Sequence, residues 1–192
     1  MKIDLDLKPG KCGAWELKQF HVSEKEARYD KIRAIVNGHP ERAVLPGDYW
    51  MLTENSYLYM SNTPAEVADH MPFIRAAHGS VLIAGLGIGM VIRALLDKPD
   101  VSRIVVVAKS ADVISLVGDC YTKDPRVEIV NADIFEYKPS EKFDYAWFDI
   151  WPDICGDNYP EMKRLNRKFA RSVKVKDSWC RKECKKRYLS DY

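Results

Sequence analysis

The chain has 192 residues, 46% of them hydrophobic and 30% charged, with 30 Lys and Arg against 28 Asp and Glu and a net charge of +2. That length and apolar content suffice for one sizeable core and exclude a disordered or collagen-like chain. No apolar run approaches the roughly 18 residues of a membrane span, M-K-I-D-L-D is too charged for a secretory leader, and Cys12, Cys120, Cys155, Cys180 and Cys184 form no C-x-x-C pair, so the expectation is a cytoplasmic protein without membrane span, disulfide framework or metal site.

In chain order, residues 15–22 (W-E-L-K-Q-F-H-V) alternate and then shift phase, which predicts a short strand with a bulge. Ser23-Glu24-Lys25-Glu26 is a capping box, followed by Ala27, Ile32, Ile35 and Val36 as the apolar positions of a helix closed by Asn37-Gly38. The runs 49–52 (Y-W-M-L) and 57–60 (Y-L-Y-M) flank T-E-N-S and predict a hairpin with a four-residue loop. Thr63-Pro64-Ala65-Glu66 then caps a second helix, with Pro at its first position.

From residue 81 strand and helix alternate, the signature of a parallel sheet with right-handed crossovers. Strands are expected over 81–84, 103–107, 126–130 and 143–148, and helices over 90–96 and 111–117. A further helix begins at Asn158 with Met162, Leu165 and Phe169 on one face, and a last one covers 178–188; no strand is expected after Asp149. The chain thus divides into an N-terminal helix and hairpin extension (1–78), an α/β core (79–154) and a basic helical segment (155–192). From residue 159 on there are 12 Lys and Arg against 4 Asp and Glu; taken from the totals of 30 and 28, this leaves 18 against 24 ahead of it. A basic tail on an acidic body suits a polyanionic partner such as nucleic acid, an intersubunit contact, or a plain solvated helix face. Cys180 and Cys184, four apart, share a helical face as small apolar side chains.

The richest stretch is 81–90, V-L-I-A-G-L-G-I-G-M. A buried strand runs into Gly85, Gly87 and Gly89 and then into a helix, which places backbone N–H groups beside a ligand. A dinucleotide fingerprint needs Gly or Ala at position 90, where this chain has Met90, so a nicotinamide oxidoreductase is disfavoured. The alternative to a cofactor cradle is a tight strand-to-helix turn.

G-x-G-x-G resembles motif I of the class I S-adenosylmethionine-dependent methyltransferases, whose relatives include the spermidine synthases. Residues 124–133 (D-P-R-V-E-I-V-N-A-D) resemble the spermidine-synthase stretch that ends in an aspartate on the adenine amino group. The resemblance implies that role for Asp133, with Ala132 and Ile134 on either side of the ring. It implies cofactor contacts for Gly85, Gly87, Gly89, Ala108 and Lys109, and places Asp149, at the end of the fourth strand, against the acceptor as catalytic base. Trp151 is then placed to stack on the acceptor, Leu52-Thr53-Glu54 matches an L-T-E hairpin, and His70 stands near a substrate-contacting histidine.

The implied fold is a Rossmann-like methyltransferase core with sheet order 3-2-1-4. The implied cofactor is S-adenosylmethionine, with S-adenosylhomocysteine or methylthioadenosine as product. Two departures stand out. The carboxylate that ends the second strand and binds the ribose hydroxyls is replaced by Ala108, followed by Lys109; Asp112, one turn later, is better placed to cap a helix. The chain also ends soon after the fourth strand, leaving that strand near an open edge to be covered by the hairpin, the C-terminal helices or a second subunit in a homodimer. The resulting expectation is methyl or aminopropyl transfer to a small-molecule or macromolecular acceptor. The alternative is a catalytically impaired binding module that contacts nucleic acid or a protein through its basic segment.

Overall fold

The computed structural model describes residues 3–190, with the side chain of Glu41 set aside; the charges read at Lys2 and Asp191 lie outside the described residues. Strands β1 (Gly10–Cys12), β2 (Trp15–Val22), β3 (Gly47–Glu54) and β4 (Tyr57–Ser61) form an antiparallel sheet in that order. Between and after them lie helices α1 (Glu24–Val36) and α2 (Pro64–Ala76). The chain then alternates β5 (Gly79–Ala84), α3 (Met90–Leu96), β6 (Val101–Ala108), α4 (Ala111–Val117), β7 (Val127–Asn131) and β8 (Phe143–Phe148). It ends with α5 (Asn158–Lys168), β9 (Val173–Ser178) and α6 (Arg181–Ser190). The second sheet is parallel and runs β7-β6-β5-β8-β9.

The four-strand order 3-2-1-4 is therefore incomplete. β9 pairs with β8 from Phe143↔Val173 to Phe148↔Ser178, so the fourth strand has a neighbour on each side instead of an open edge. Two expectations fail together, because Ser178 closes a strand and the last helix starts at Arg181. The missed signal is the alternation V-K-V-K at 173–176. Val175 is 53% exposed, and lysines on an outer strand discourage further pairing.

Alternation divides the core in two. Val81, Ile83, Ile104 and Val106 face one side of the parallel sheet, with Val91, Leu95, Val113 and Phe73 from α3, α4 and α2. Leu82, Ala84, Val105 and Phe148 face the other, against Met162, Leu165 and Phe169 of the α5 segment and Cys184 of α6. Full burial of each Val, Leu, Ile, Phe or Met side chain of this kind stabilises the fold by about 1.5–3 kcal/mol. Leu17, Trp50, Leu52 and Met60 of the antiparallel sheet join the first core, which fixes the N-terminal half over one face of the parallel sheet.

Local departures have local causes. β2 pairs with β3 in unbroken register, and the irregularity falls between Leu52 and Thr53 on the β3–β4 side. The hairpin loop has two residues, Asn55 and Ser56, both at positive φ (48° and 69°), as a twisted hairpin favours. Ser23 and Glu26 form the reciprocal cap, but of the expected core positions of α1 only Ala27 is buried; Ile32, Ile35 and Val36 face outward. Thr63 makes no side-chain cap; instead the Ser61 N–H and hydroxyl both donate to Glu66. Among the described residues no helix is long and apolar enough to cross a membrane.

The basic C-terminal segment folds back on the body. Lys163 lies over the Tyr159 and Tyr188 rings, Arg164 over Phe135, and Lys174 pairs with Asp144 at 2.6 Å. Lys168 donates to the Phe135 carbonyl and Arg187 to that of Ile154.

Candidate functional site

A cavity of about 680 Å³ opens at the carboxyl ends of β5, β6, β7 and β8, where a parallel sheet places its ligands. That volume is within the range of small-molecule sites. Its floor is the turn after β5, and its roof is the N-terminal sheet, which contributes Trp15, Leu52, Glu54, Tyr59 and Met60. The pocket thus draws a wall from the extension of the same chain.

The glycine turn divides its work. Gly85 and Gly87 line the cavity, whereas Gly89 is not among the lining residues. A side chain on Gly89 (φ 73°) would run into the Tyr121 ring, whose hydroxyl donates to the Ile88 carbonyl at 2.9 Å. Gly89 therefore serves packing at the start of α3, against the Tyr121 ring. At Gly87 (φ 50°) the space a Cβ would take is held by the Met60 sulfur, and at Gly85 (φ 97°) by the Asp149 carbonyl.

Ala108, Lys109 and Ser110 line the cavity past β6, and Asp133 and Ile134 past β7. Asn131 Nδ2 donates to the carbonyls of Ala108 and Lys109, both at 3.0 Å, and ties the two strand ends together. Asp133 accepts from the Phe135 N–H at 2.8 Å and pairs with Lys109 Nζ at 3.0 Å; these two donors, the backbone first, hold its carboxyl below the usual range. The Lys109 side chain is 82% exposed, so this pair lies at the open side of the cavity. Asp112 faces the β1–β2 turn, where Cys12 Sγ donates to it at 3.4 Å and a side chain on Gly13 would strike it.

The end beneath β8 has a different character. Asp149 lines the cavity with 18% of its side chain exposed, and burial, then the nearby charges of Glu66 and Asp69, push its carboxyl up to about 8. Glu66, on α2, is raised to about 7, chiefly by burial and against the opposing hydrogen bonds from Ser61. Asp69 is held by Arg42 in a bidentate pair at 2.7 and 2.9 Å. His70 is buried on α2; burial lowers it to about 4, so it is neutral at ordinary pH. Its Nδ1 accepts from Trp147 Nε1–H at 3.1 Å, and its Nε2 faces Asp149 Oδ2 at 3.7 Å. Its side chain also lines the cavity, beside Asp149.

Trp151 lines the same space, and its Nε1–H donates to Glu161 at 2.7 Å. Tyr57 donates to Asp153 and so latches the hairpin to the loop after Asp149. Residue spacing missed Glu66, Tyr59 and Trp147. Glu66 reads as an ordinary capping residue, and the others as strand positions, because what brings them together is the packing of α2 and β4 over β8. With these groups assembled, the cavity offers a carboxylate and apolar walls at one end and proton-exchanging carboxyls at the other.

No family model and no curated protein matches the chain by sequence. Among solved structures it is similar to the spermidine synthase of Thermotoga maritima, 17% identical over 88% of this chain and 52% of that one, with a TM-score of 0.51. It is also similar to a spermidine synthase in complex with the transition-state analogue AdoDATO, 18% identical over 87% and 52%, with a TM-score of 0.53. A DhpI–SAM–HEP complex matches over 57% of this chain and 49% of that one, at 21% identity and a TM-score of 0.45. The chain spans about half the length of these structures. What the likeness establishes is the fold alone, a Rossmann-like α/β core.

Proposed function

We propose that, on this Rossmann-like core, the chain moves a methyl or aminopropyl group from an adenosyl sulfonium of the S-adenosylmethionine type to an amine, with Asp149 as the proton acceptor. The observation that carries the reading is Asp149 itself: a carboxyl at the end of β8, opening on the cavity, with its pKa pushed up to about 8. A base works best when its pKa lies near the working pH.

The residues fit such a cofactor with one departure. Asp133 offers a carboxylate for an adenine amino group, Ile134 an apolar surface for the ring, and the Gly85–Leu86–Gly87 backbone the floor. The position for ribose hydroxyls lacks its acid at Ala108. Losing a charge-assisted hydrogen bond of that kind costs about 1.5–3 kcal/mol, roughly ten- to a hundred-fold in affinity. When bound, such a sulfonium would supply an electrophilic carbon to the acceptor nitrogen, with the carbon–sulfur electron pair leaving on sulfur.

The chain's own residues handle the acceptor. An ammonium entering beside Glu66 and Asp149 meets two carboxyls that give up their protons more readily once a cation is near. Asp149 then takes the proton that the nitrogen must lose, while Trp151, Tyr59 and Met60 close the space above it. The substrate is therefore an amine small enough to enter beneath the hairpin. Incubation of the full chain with S-adenosylmethionine, or its decarboxylated form, and a panel of amines should yield an N-alkylated product that mass spectrometry detects. A folded sample that binds the cofactor yet alkylates none of them would remove the catalytic reading.

A further inference from the structure

We propose that His70 and Trp147 are positioning residues for Asp149: Trp147 fixes the His70 proton on Nε2, and Nε2–H aims and steadies the Asp149 carboxylate. This rests on the transferase reading above. An indole N–H can only donate, and Trp147 Nε1 meets His70 Nδ1 at 3.1 Å, so Nδ1 is the acceptor and a neutral ring carries its proton on Nε2. That Nε2–H faces Asp149 Oδ2 at 3.7 Å, beyond hydrogen-bond length, and in this proposal the gap closes to a hydrogen bond when the carboxyl ionises.

The device is held firmly. Trp147 stacks on Phe73 with centroids 4.9 Å apart, and His70 meets the same indole edge-on at 5.7 Å. Trp147 and Asp149 are two residues apart at the end of β8, so both side chains leave the sheet on the face that α2 covers. Glu66 and Asp69 from α2 both oppose ionisation of Asp149, and the Tyr59 phenol on β4 feels the Asp149 charge in turn. Against these, the His70 N–H favours the carboxylate. The acceptor's proton goes to an Asp149 oxygen, and His70 stays neutral and passes none.

The first test needs neither cofactor nor turnover, so it stands apart from the transferase reading. Nitrogen-15 NMR of the full chain should show His70 as the neutral Nε2–H tautomer between about pH 6 and pH 8. An Nδ1–H tautomer, or an imidazolium in that range, overturns the proposal. Trp147→Phe keeps a ring on Phe73 and removes the donor; it should give mixed His70 tautomers and a raised Asp149 carboxyl titration by carbon-13 NMR. If neither moves, the proposal fails. In turnover, His70→Gln, whose amide can donate from the Nε2 position, should stay within about three-fold of wild type. His70→Leu should lose about ten-fold in kcat with KM unchanged, the scale of one hydrogen bond to a charged group. Equal losses in two folded variants would reduce His70 to a packing residue.

Discussion

The two ends of the cavity handle charge in opposite ways. Under β6 and β7 charge sits in water: Lys109 is largely exposed and its pair with Asp133 is a surface ion pair, worth about 0–1 kcal/mol. Under β8 the carboxyls of Asp149 and Glu66 are taken out of water and held near their neutral forms. The first end can recognise a ligand, because its charges are fixed and cheap to rearrange. The second can exchange protons near neutral pH, because burial has moved its titrations there.

The comparison breaks most severely at the turn that joins the ends. Gly89→Val places a branched side chain at positive φ against the Tyr121 ring and should destabilise the protein by about 3 kcal/mol or more in urea unfolding. A normal midpoint would show that the turn is not held as described.

Asp149→Asn should lower turnover by about a hundred-fold, the scale of a lost general base. It should also change the pH dependence of stability. A carboxyl raised from 3.8 to about 8 binds its proton more tightly in the folded state, so its contribution is complete below about pH 4 and is lost as pH rises through 8. His70, lowered from 6.5 to about 4, acts the other way and costs stability as pH falls through that window. The variant should therefore be more stable than wild type at pH 8, by about 1 kcal/mol or more, and nearly equal to it at pH 4. Parallel loss of stability at every pH would make Asp149 a structural residue.

A smaller effect is expected at the first end. Ala108→Glu supplies the missing acceptor pair for ribose hydroxyls and should tighten S-adenosylhomocysteine binding by about ten-fold. Unchanged affinity in a folded variant would sever the link between that strand end and a ribose.

The first end was legible in the sequence because its residues follow their strands directly. V-L-I-A-G-L-G, V-A-K-S and N-A-D-I each carry strand and site together. The second end was half legible: Asp149 follows F-D-Y-A-W-F, but its neighbours come from α2 and β4, which no spacing rule links to it. Gly89 looked like its two companions, and only the ring of Tyr121 separates its role from theirs. β9 escaped because V-K-V-K lies in a basic stretch that reads as helix surface. The apolar residues of α1 were expected to be core from their type, yet Ile32, Ile35 and Val36 lie outside and only Ala27 is buried.

The central claim is that a nucleoside sulfonium binds across these two ends. Isothermal titration of the full chain with S-adenosylhomocysteine, at neutral pH and beside the Asp133→Ala variant, tests it most directly. The account predicts saturable one-to-one binding that weakens by about ten-fold or more in the variant, the scale of a lost charge-assisted hydrogen bond. A folded wild-type protein that gives no binding heat over a range of temperatures, or a variant that binds as well as wild type, would contradict it.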